Sequence, residues 1–307
     1  MGKANYSNVG GQAIMEGVMM RSPEKTVIAV RTPDNTIAKE EVEFNSLRNK
    51  YKFFRLPIIR GIVAFVESLL VGFGAISRSA SLAGLEEETG GNKTTENIIM
   101  SVSFVLGLGL SLALLVFIPV GFRVALEYLF KFDFGMFRTL FEGIVKIGIF
   151  LLYMVLIAQM KDIKRLFQYH GAEHKTIFCY EAGEELTVEN VRKHSRFHPR
   201  CGTSFIFVVM IVSILFFSVF SGLPNGIYTI IKIVFLPIVA GLSFEVTQFT
   251  AKYENLCTRI LSAPGKWVQR ISTIEPDDDQ IEVAIISMKG ALNMIEVDPP
   301  HKDQVKK

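Results

Sequence analysis

Cysteine is scarce in this chain, with 3 among 307 residues, and tryptophan occurs once. Three thiols, Cys179, Cys201 and Cys257, cannot build a disulfide framework, and all three fall on the side expected to face a reducing cytosol. Nor does charge of one sign dominate: 33 Lys and Arg stand against 30 Asp and Glu, a formal net charge of +3, so no nucleic-acid partner is expected. The N-terminus lacks the charged, apolar and small-residue pattern of a cleaved signal peptide, which leaves insertion to the first apolar span. What the chain has in quantity is apolar bulk. Half of its residues are hydrophobic, 25 are Phe, and the mean hydropathy is +0.34, far from the balance of a soluble domain. A membrane protein is expected, with the lipid bilayer as its first partner.

Four windows are long and apolar enough to cross a hydrocarbon core: residues 98–120, 144–160, 204–220 and 227–244, the last two joined by a Pro224-Asn225-Gly226 turn. They read as two helical hairpins. Lys and Arg number 12 before the first window, 8 in the 161–203 loop and 8 after Phe244, against 3 on the other side. By the positive-inside rule, both termini and that loop face the cytosol, while Arg123 to Glu142 and the Pro224 turn lie outside. Lys146 and Lys232 then sit near outer span ends and are expected to snorkel outward.

Residues 56–76 are long enough to span but carry Arg60 and Glu67. On a helical wheel Arg60, Ala64, Glu67, Val71, Gly74 and Arg78 form one polar or small stripe, and Ile62, Phe65, Val66, Leu69, Leu70, Phe73 and Ile76 the opposite face. An in-plane interfacial helix, or one packed on the bundle, fits this pattern. Before it, residues 26–31 and 36–44 read as a β-hairpin around Pro33-Asp34-Asn35. After the last span, residues 277–292 read as a helix with Asp277, Asp278 and Asp279 at its positive end and Ile281, Ala284, Ile285, Met288 and Leu292 along one stripe. The segment from Glu86 reads as a linker, and the charged tail from Pro299 as disordered. The expected fold is a mostly α membrane protein: a four-span bundle with an interfacial amphipathic helix, a small N-terminal β element and a cytosolic helical loop. Its segments are 1–55, 56–97, 98–246 with the loop 161–203, and 247–307.

The most informative stretch lies in that loop. On a helix the ionisable residues of His170-Gly-Ala-Glu173-His174 fall within about one quadrant of the wheel. Imidazoles at i and i+4 can chelate one divalent ion, and the carboxylate between them is placed to hold or deprotonate a water. The order is the inverted form of the zinc-peptidase helix motif. The helix is expected from about His170 to a Gly183 cap, followed by a short helix from the Thr187 N-cap to about Ser195. His198-Pro-Arg200-Cys201 then offers two further borderline or soft ligands, and Glu245 sits at the cytosolic end of the fourth span. Candidate metal ligands are therefore His170, His174, His198, Cys201 and Glu245, with Glu173 as general base and zinc as the expected ion. Arg200 could hold an anionic substrate group or a lipid phosphate. Cys179 lies on the far side of the motif helix, where packing is its expected role.

Four blocks together carry a resemblance: Gly10-Gly-Gln-Ala-Ile-Met-Glu16-Gly-Val-Met-Met-Arg21, His170-Gly-Ala-Glu-His174-Lys-Thr, His198-Pro-Arg-Cys-Gly-Thr-Ser204, and the Asp279-Gln-Ile-Glu-Val-Ala run. Over nearly its whole length the chain resembles the YqhQ-like family of bacterial multi-pass membrane proteins, described as predicted metal-dependent enzymes. The resemblance implies that the N-terminal block joins the site. Its glycines allow a sharp, close-approaching backbone that would carry Glu16 and Arg21 toward the cluster; the alternative is a turn in which the two form a structural pair.

Two functions compete on these residues. In the first, a three-ligand zinc site with Glu173 as base hydrolyses an unidentified membrane or membrane-proximal substrate at the cytosolic face. In the second, His170, His174, His198 and Cys201 close around a structural zinc in a scaffold or partner-binding protein. A transporter ranks third, because the spans are expected to lack paired intramembrane acids and interrupted helices.

Overall fold

Alternating side chains set the centre of the molecule. The structure, a computed structural model, describes residues 9–44, 46–85, 93–198, 201–253 and 256–299. Strands β1 (Gly10–Ile14), β2 (Gly17–Arg21), β3 (Thr26–Arg31) and β4 (Ile37–Glu41) form an antiparallel meander in sequence order. The expected hairpin is present as β3 and β4, with Asn35 at φ 65° in its turn. β1 and β2 extend the sheet on the Gly-rich side, where only a sharp turn was expected. Here Gly17 is required, since a Cβ would come within 2.2 Å of the Ala29 carbonyl oxygen across the β2–β3 pair.

Twelve α-helices accompany the sheet among the described residues: α1 Leu47–Lys50, α2 Ile59–Leu82, α3 Lys93–Leu112, α4 Ile118–Phe130, α5 Arg138–Ile157, α6 Lys161–Glu181, α7 Val188–Lys193, α8 Gly202–Ser218, α9 Asn225–Val234, α10 Leu236–Lys252, α11 Leu256–Ser272 and α12 Asp278–Ala291. Val18, Met20, Val27 and Ala29 on one sheet face pack with Tyr169 and Ala172 of α6 and Ile281, Ala284 and Met288 of α12. Ile14, Met19, Ile28 and Val30 on the other pack with Val71 and Ala75 of α2. Both faces are thus covered. Met20, Ile28 and Met288 are fully buried, each such side chain contributing roughly 1.5–3 kcal/mol.

The α12 stripe and its acidic start are as the sequence implies, with Asp277 and Gln280 closing a reciprocal capping box. Thr187 caps α7, and Gly183 at φ 72° follows the end of α6. The motif helix α6 itself begins at Lys161, nine residues earlier than expected, and α11 was not anticipated at all.

α2 has the two expected faces: Gly61, Ala64, Glu67, Val71 and Ala75 are buried, while Phe65, Val66, Leu69, Leu70, Phe73 and Ile76 are exposed. Gly74 departs from the expected stripe and is exposed. By length and composition three helices could cross a membrane: Ile59–Leu82, Val105–Phe130 and Gly135–Ile157. A fourth is reached if α9 and α10, bent by 54° at their junction, count as one span. α2 therefore joins the candidate spans, and α8, at 17 residues, is shorter than they are.

The helices run further than the apolar windows, α4 extending to Phe130 and α5 starting at Arg138 within the stretch expected outside. Two expectations about the bundle are overturned. Lys232 does not snorkel; it is buried against Glu142 and 4.2 Å from the Tyr228 ring centroid. A broken helix, expected to be missing, is present where α9 meets α10, and Glu142 sits in a buried ion cluster with Arg123 and Lys232. Arg123, 1 % exposed, is tolerated in the bundle because Glu142 binds its Nε at 2.7 Å, Asn225 Oδ1 its Nη2 at 2.8 Å, and Glu127 its Nη1. The linker at 86–92, the tail from residue 300 and Arg200 lie outside the described residues.

Candidate metal centre

Gly171 is what brings the motif helix to its partners. A Cβ at that position would come within 2.1 Å of the Ile274 carbonyl oxygen, so only Gly lets the chain leaving α11 cross α6 so closely. Phe167 O accepts from Ile274 N at 2.9 Å, and His170 Nδ1 lies 2.8 Å from Ser272 O. On the next turn, His174 Nδ1 lies 2.5 Å from Arg196 O. A carbonyl only accepts, so each imidazole must carry a proton on Nδ1, which leaves Nε2 as the atom that could bind an ion. Contacts of this kind from a carbonyl behind the ring fix the tautomer and ring angle of metal-binding histidines.

Both free nitrogens have a common neighbour. Cys201, at the N-cap of α8 and 5 % exposed, places Sγ 3.1 Å from His170 Nε2. The ligand atoms of His170, His174 and Cys201 all lie within 4.8 Å of one another. Zn–N distances of about 2.0–2.1 Å and Zn–S of about 2.3 Å imply ligand separations of roughly 3.3–3.6 Å, so a small contraction would close the set around one ion. Burial opposes ionisation of Cys201, yet His170 and His174 pull its thiol well below the ordinary range. Burial likewise disfavours a charged His170, but Cys201 outweighs it and pushes the imidazole up to about 9.

Glu173 completes the centre. Its Oε2 is 3.9 Å from His170 Nε2, and burial raises its pKa against the opposing pull of His174 and His170. β1 presses on it from the other side: a Cβ on Gly11 would meet Glu173 Cγ at 2.6 Å. The N-terminal block does reach the site, through Gly11.

Among the described residues Glu16 and Arg21 are not paired with each other, and of the two it is Arg21 that lines the cavity onto which the cluster opens. Glu16, at φ 49° in the β1–β2 turn, binds Arg165 and the Tyr169 hydroxyl. Arg21 lies over the Phe44 ring, 4.8 Å from its centroid. His198 stands outside the three-ligand group, its ring 4.6 Å from that of Phe178 and 5.5 Å from that of His174, with Nε2 3.7 Å from Glu181. Gln269 fixes it there, accepting from His198 N at 2.8 Å and donating to His198 O at 2.7 Å. Glu245 is not at the cluster. Arg60 Nε donates to it at 2.8 Å and Ile58 N at 3.2 Å, so its charge is spent on the start of α2. Cys179 is fully buried in the sheet-side core, as expected. Sequence reasoning missed Ser272, Arg196 and Gln269. Two of them act through backbone carbonyls, which leave no side-chain signal.

His170, His174, Glu173 and Cys201 line a cavity of about 1150 Å³ that runs between β1, α2 and α6. The molecule is thus a mostly helical protein with candidate membrane spans and a buried His-Cys-Glu centre beneath a small sheet. The chain belongs to the family described as "Protein of unknown function (DUF1385)", whose model matches residues 56–294. It is 34 % identical over 297 residues to "Uncharacterized protein YqhQ" of Bacillus subtilis (strain 168), covering 93 % of this chain and 92 % of that protein. No solved structure matches the chain.

Proposed function

We propose that this protein is a metal-dependent hydrolase of the cell membrane, working at the cytosolic face with both termini in the cytosol. His170, His174 and Cys201 would hold one divalent ion, zinc by the nature of the donor set. The observation that carries this is the pair of backbone carbonyls that occupies both Nδ1 atoms and so leaves Nε2 of each imidazole for an ion beside one buried sulfur, all lining a cavity. A bound zinc supplies Lewis acidity and a nucleophilic water at neutral pH. Glu173 takes the proton from the attacking water as its oxygen bonds to the electrophilic centre, then returns it to the leaving group. Gly11 and the sheet keep that carboxylate buried, which favours proton transfer near neutrality.

A closed structural site in a scaffold would need His198 as fourth ligand. Its backbone is held by Gln269 on both sides and its ring sits beside Phe178, which favours the open, three-ligand arrangement. Glu173→Gln tests the choice. It keeps shape but cannot take a proton, so we expect normal metal content and protein level with loss of whatever phenotype a deletion strain shows. Full complementation by Glu173→Gln would refute catalysis and favour the scaffold.

A further inference from the structure

The cavity at the metal centre continues past it. It shares Arg21, Ser46 and Arg48 with a second cavity of about 490 Å³, which Arg55, Arg60 and Phe244 also line. Four guanidinium groups surround this second space, and among the described residues no carboxylate lines it. Two of the four are anchored from behind. Glu67, 4 % exposed, accepts from Arg48 Nε at 3.2 Å and lies 3.1 Å from its Nη2; Glu245 accepts from Arg60 Nε at 2.8 Å.

Arg21 sharpens the point. Among the described residues no carboxylate is within ion-pair distance of it, and its guanidinium lies over Phe44 instead. Burial first, and then the neighbouring Arg48, hold its pKa below the usual arginine value. A half-buried cation beside another cation is costly unless an anion joins them. A planar donor fork at the wall of a cavity is suited to phosphate oxygens.

The surroundings indicate where such an anion would come from. Leu47, Tyr51, Phe53 and Leu56 are exposed between Ser46 and α2, interleaved with Arg48, Lys50, Lys52 and Arg55. Aromatic, aliphatic and basic side chains mixed in this way are an interfacial membrane anchor.

We propose that the arginine-lined cavity is the phosphate-binding subsite of the same centre, and that the substrate is a phosphate-bearing molecule, drawn from the membrane as an anionic lipid. This rests on taking the joined cavities as the substrate site.

The test uses the full chain in nanodiscs of phosphatidylcholine, with fluorescent short-chain phosphatidic acid as probe and glycerol 3-phosphate as soluble competitor. Wild type should bind the lipid saturably. Arg21→Gln should weaken binding at least tenfold and Arg21→Lys less, while Arg270→Gln, whose arginine stacks on Trp267 away from the cavity, should match wild type. Lipid binding that the competitor leaves untouched supports a membrane source. Binding of the soluble phosphate in place of the lipid, lost in Arg21→Gln, supports the subsite with a soluble source. No saturable binding of either probe, or equal binding by Arg21→Gln and wild type, overturns the proposal. Metal content of the same preparations separates the two ideas: phosphate binding through Arg21 in a metal-free protein would sink the metal reading alone, and a silent Arg21→Gln in a metal-loaded protein would sink the subsite alone.

Discussion

Two buried charge clusters flank the ends of α8, and they are built on opposite rules. Near its C-terminal end, where Arg138 donates to Phe220 O and Leu223 O, Arg123, Glu142 and Lys232 answer one another within the fold. None of the three lines either of the two cavities at the metal centre. At its N-cap, His170, His174 and Cys201 have their outer atoms fixed and their inner atoms turned toward a common point on a cavity wall. A closed cluster of fixed charges holds helices together. An open one with reorientable protons can do chemistry.

The largest effect that would break this comparison belongs to the closed cluster. Glu142→Leu leaves Arg123 and Lys232 buried without their counter-ion, and removal of one partner from a buried pair costs about 3–5 kcal/mol. Thermal unfolding in detergent should show a large loss of stability, with metal per folded chain unchanged. A silent Glu142→Leu would mean that the cluster is hydrated rather than sealed.

Next in size is the metal itself. His170→Ala or His174→Ala should lower metal content from about one ion per chain to near zero, measured by elemental analysis of protein purified without chelator. The fold should survive with a smaller loss than Glu142→Leu gives, because three ligands opening on a cavity do not tie the bundle together as a closed site does. Wild type without metal would remove the basis of the open cluster's chemistry.

Gly11→Ala probes how the sheet supports the site. The added methyl overlaps Glu173, and overpacking of this kind costs roughly 1–3 kcal/mol. Metal content should stay, since neither His nor Cys is touched. The phenotype should fall further than stability, because displacing a catalytic group by about 1 Å can cost on the order of 100-fold. Metal loss in Gly11→Ala would show instead that the sheet holds the ligands.

The same division separates what the sequence discloses from what it hides. The α2 faces, the α3–α4 and α5 apolar runs, the β3–β4 hairpin, the α7 cap and the α12 capping box are local patterns, set by residues within a few positions of each other. The His170-Glu173-His174 arc is equally local, and Cys201 was reachable as a nearby soft ligand. Glu245 and Lys232 were misplaced because their partners, Arg60 and Glu142, lie 185 and 90 residues away. β1 and β2 were read as a turn because glycines that permit close packing and glycines that permit bending look alike in one sequence. Nothing in composition shows that Arg21 would face a cavity beside Arg48.

The smallest effect comes from two cysteines of one chain. Cys179, on the motif helix, donates to Glu185 O at 3.6 Å in a sealed core, and burial followed by Glu184 pushes its pKa up to about 11. A thiol with a raised pKa is protonated through the neutral range, so its thiolate grows only as pH nears that value; alkylation of the folded protein at Cys179 should be negligible at pH 8. Cys179→Ala should keep the metal and cost about 1 kcal/mol in packing. Cys201 should behave differently: shielded while metal is bound, and alkylated by iodoacetamide at pH 8 once a chelator has stripped the ion. Peptide mapping by mass spectrometry, with and without chelator, reads both sites in one experiment. Equal labelling of Cys201 in both samples would mean that its sulfur is not a ligand and that the open cluster works through thiol and imidazole alone.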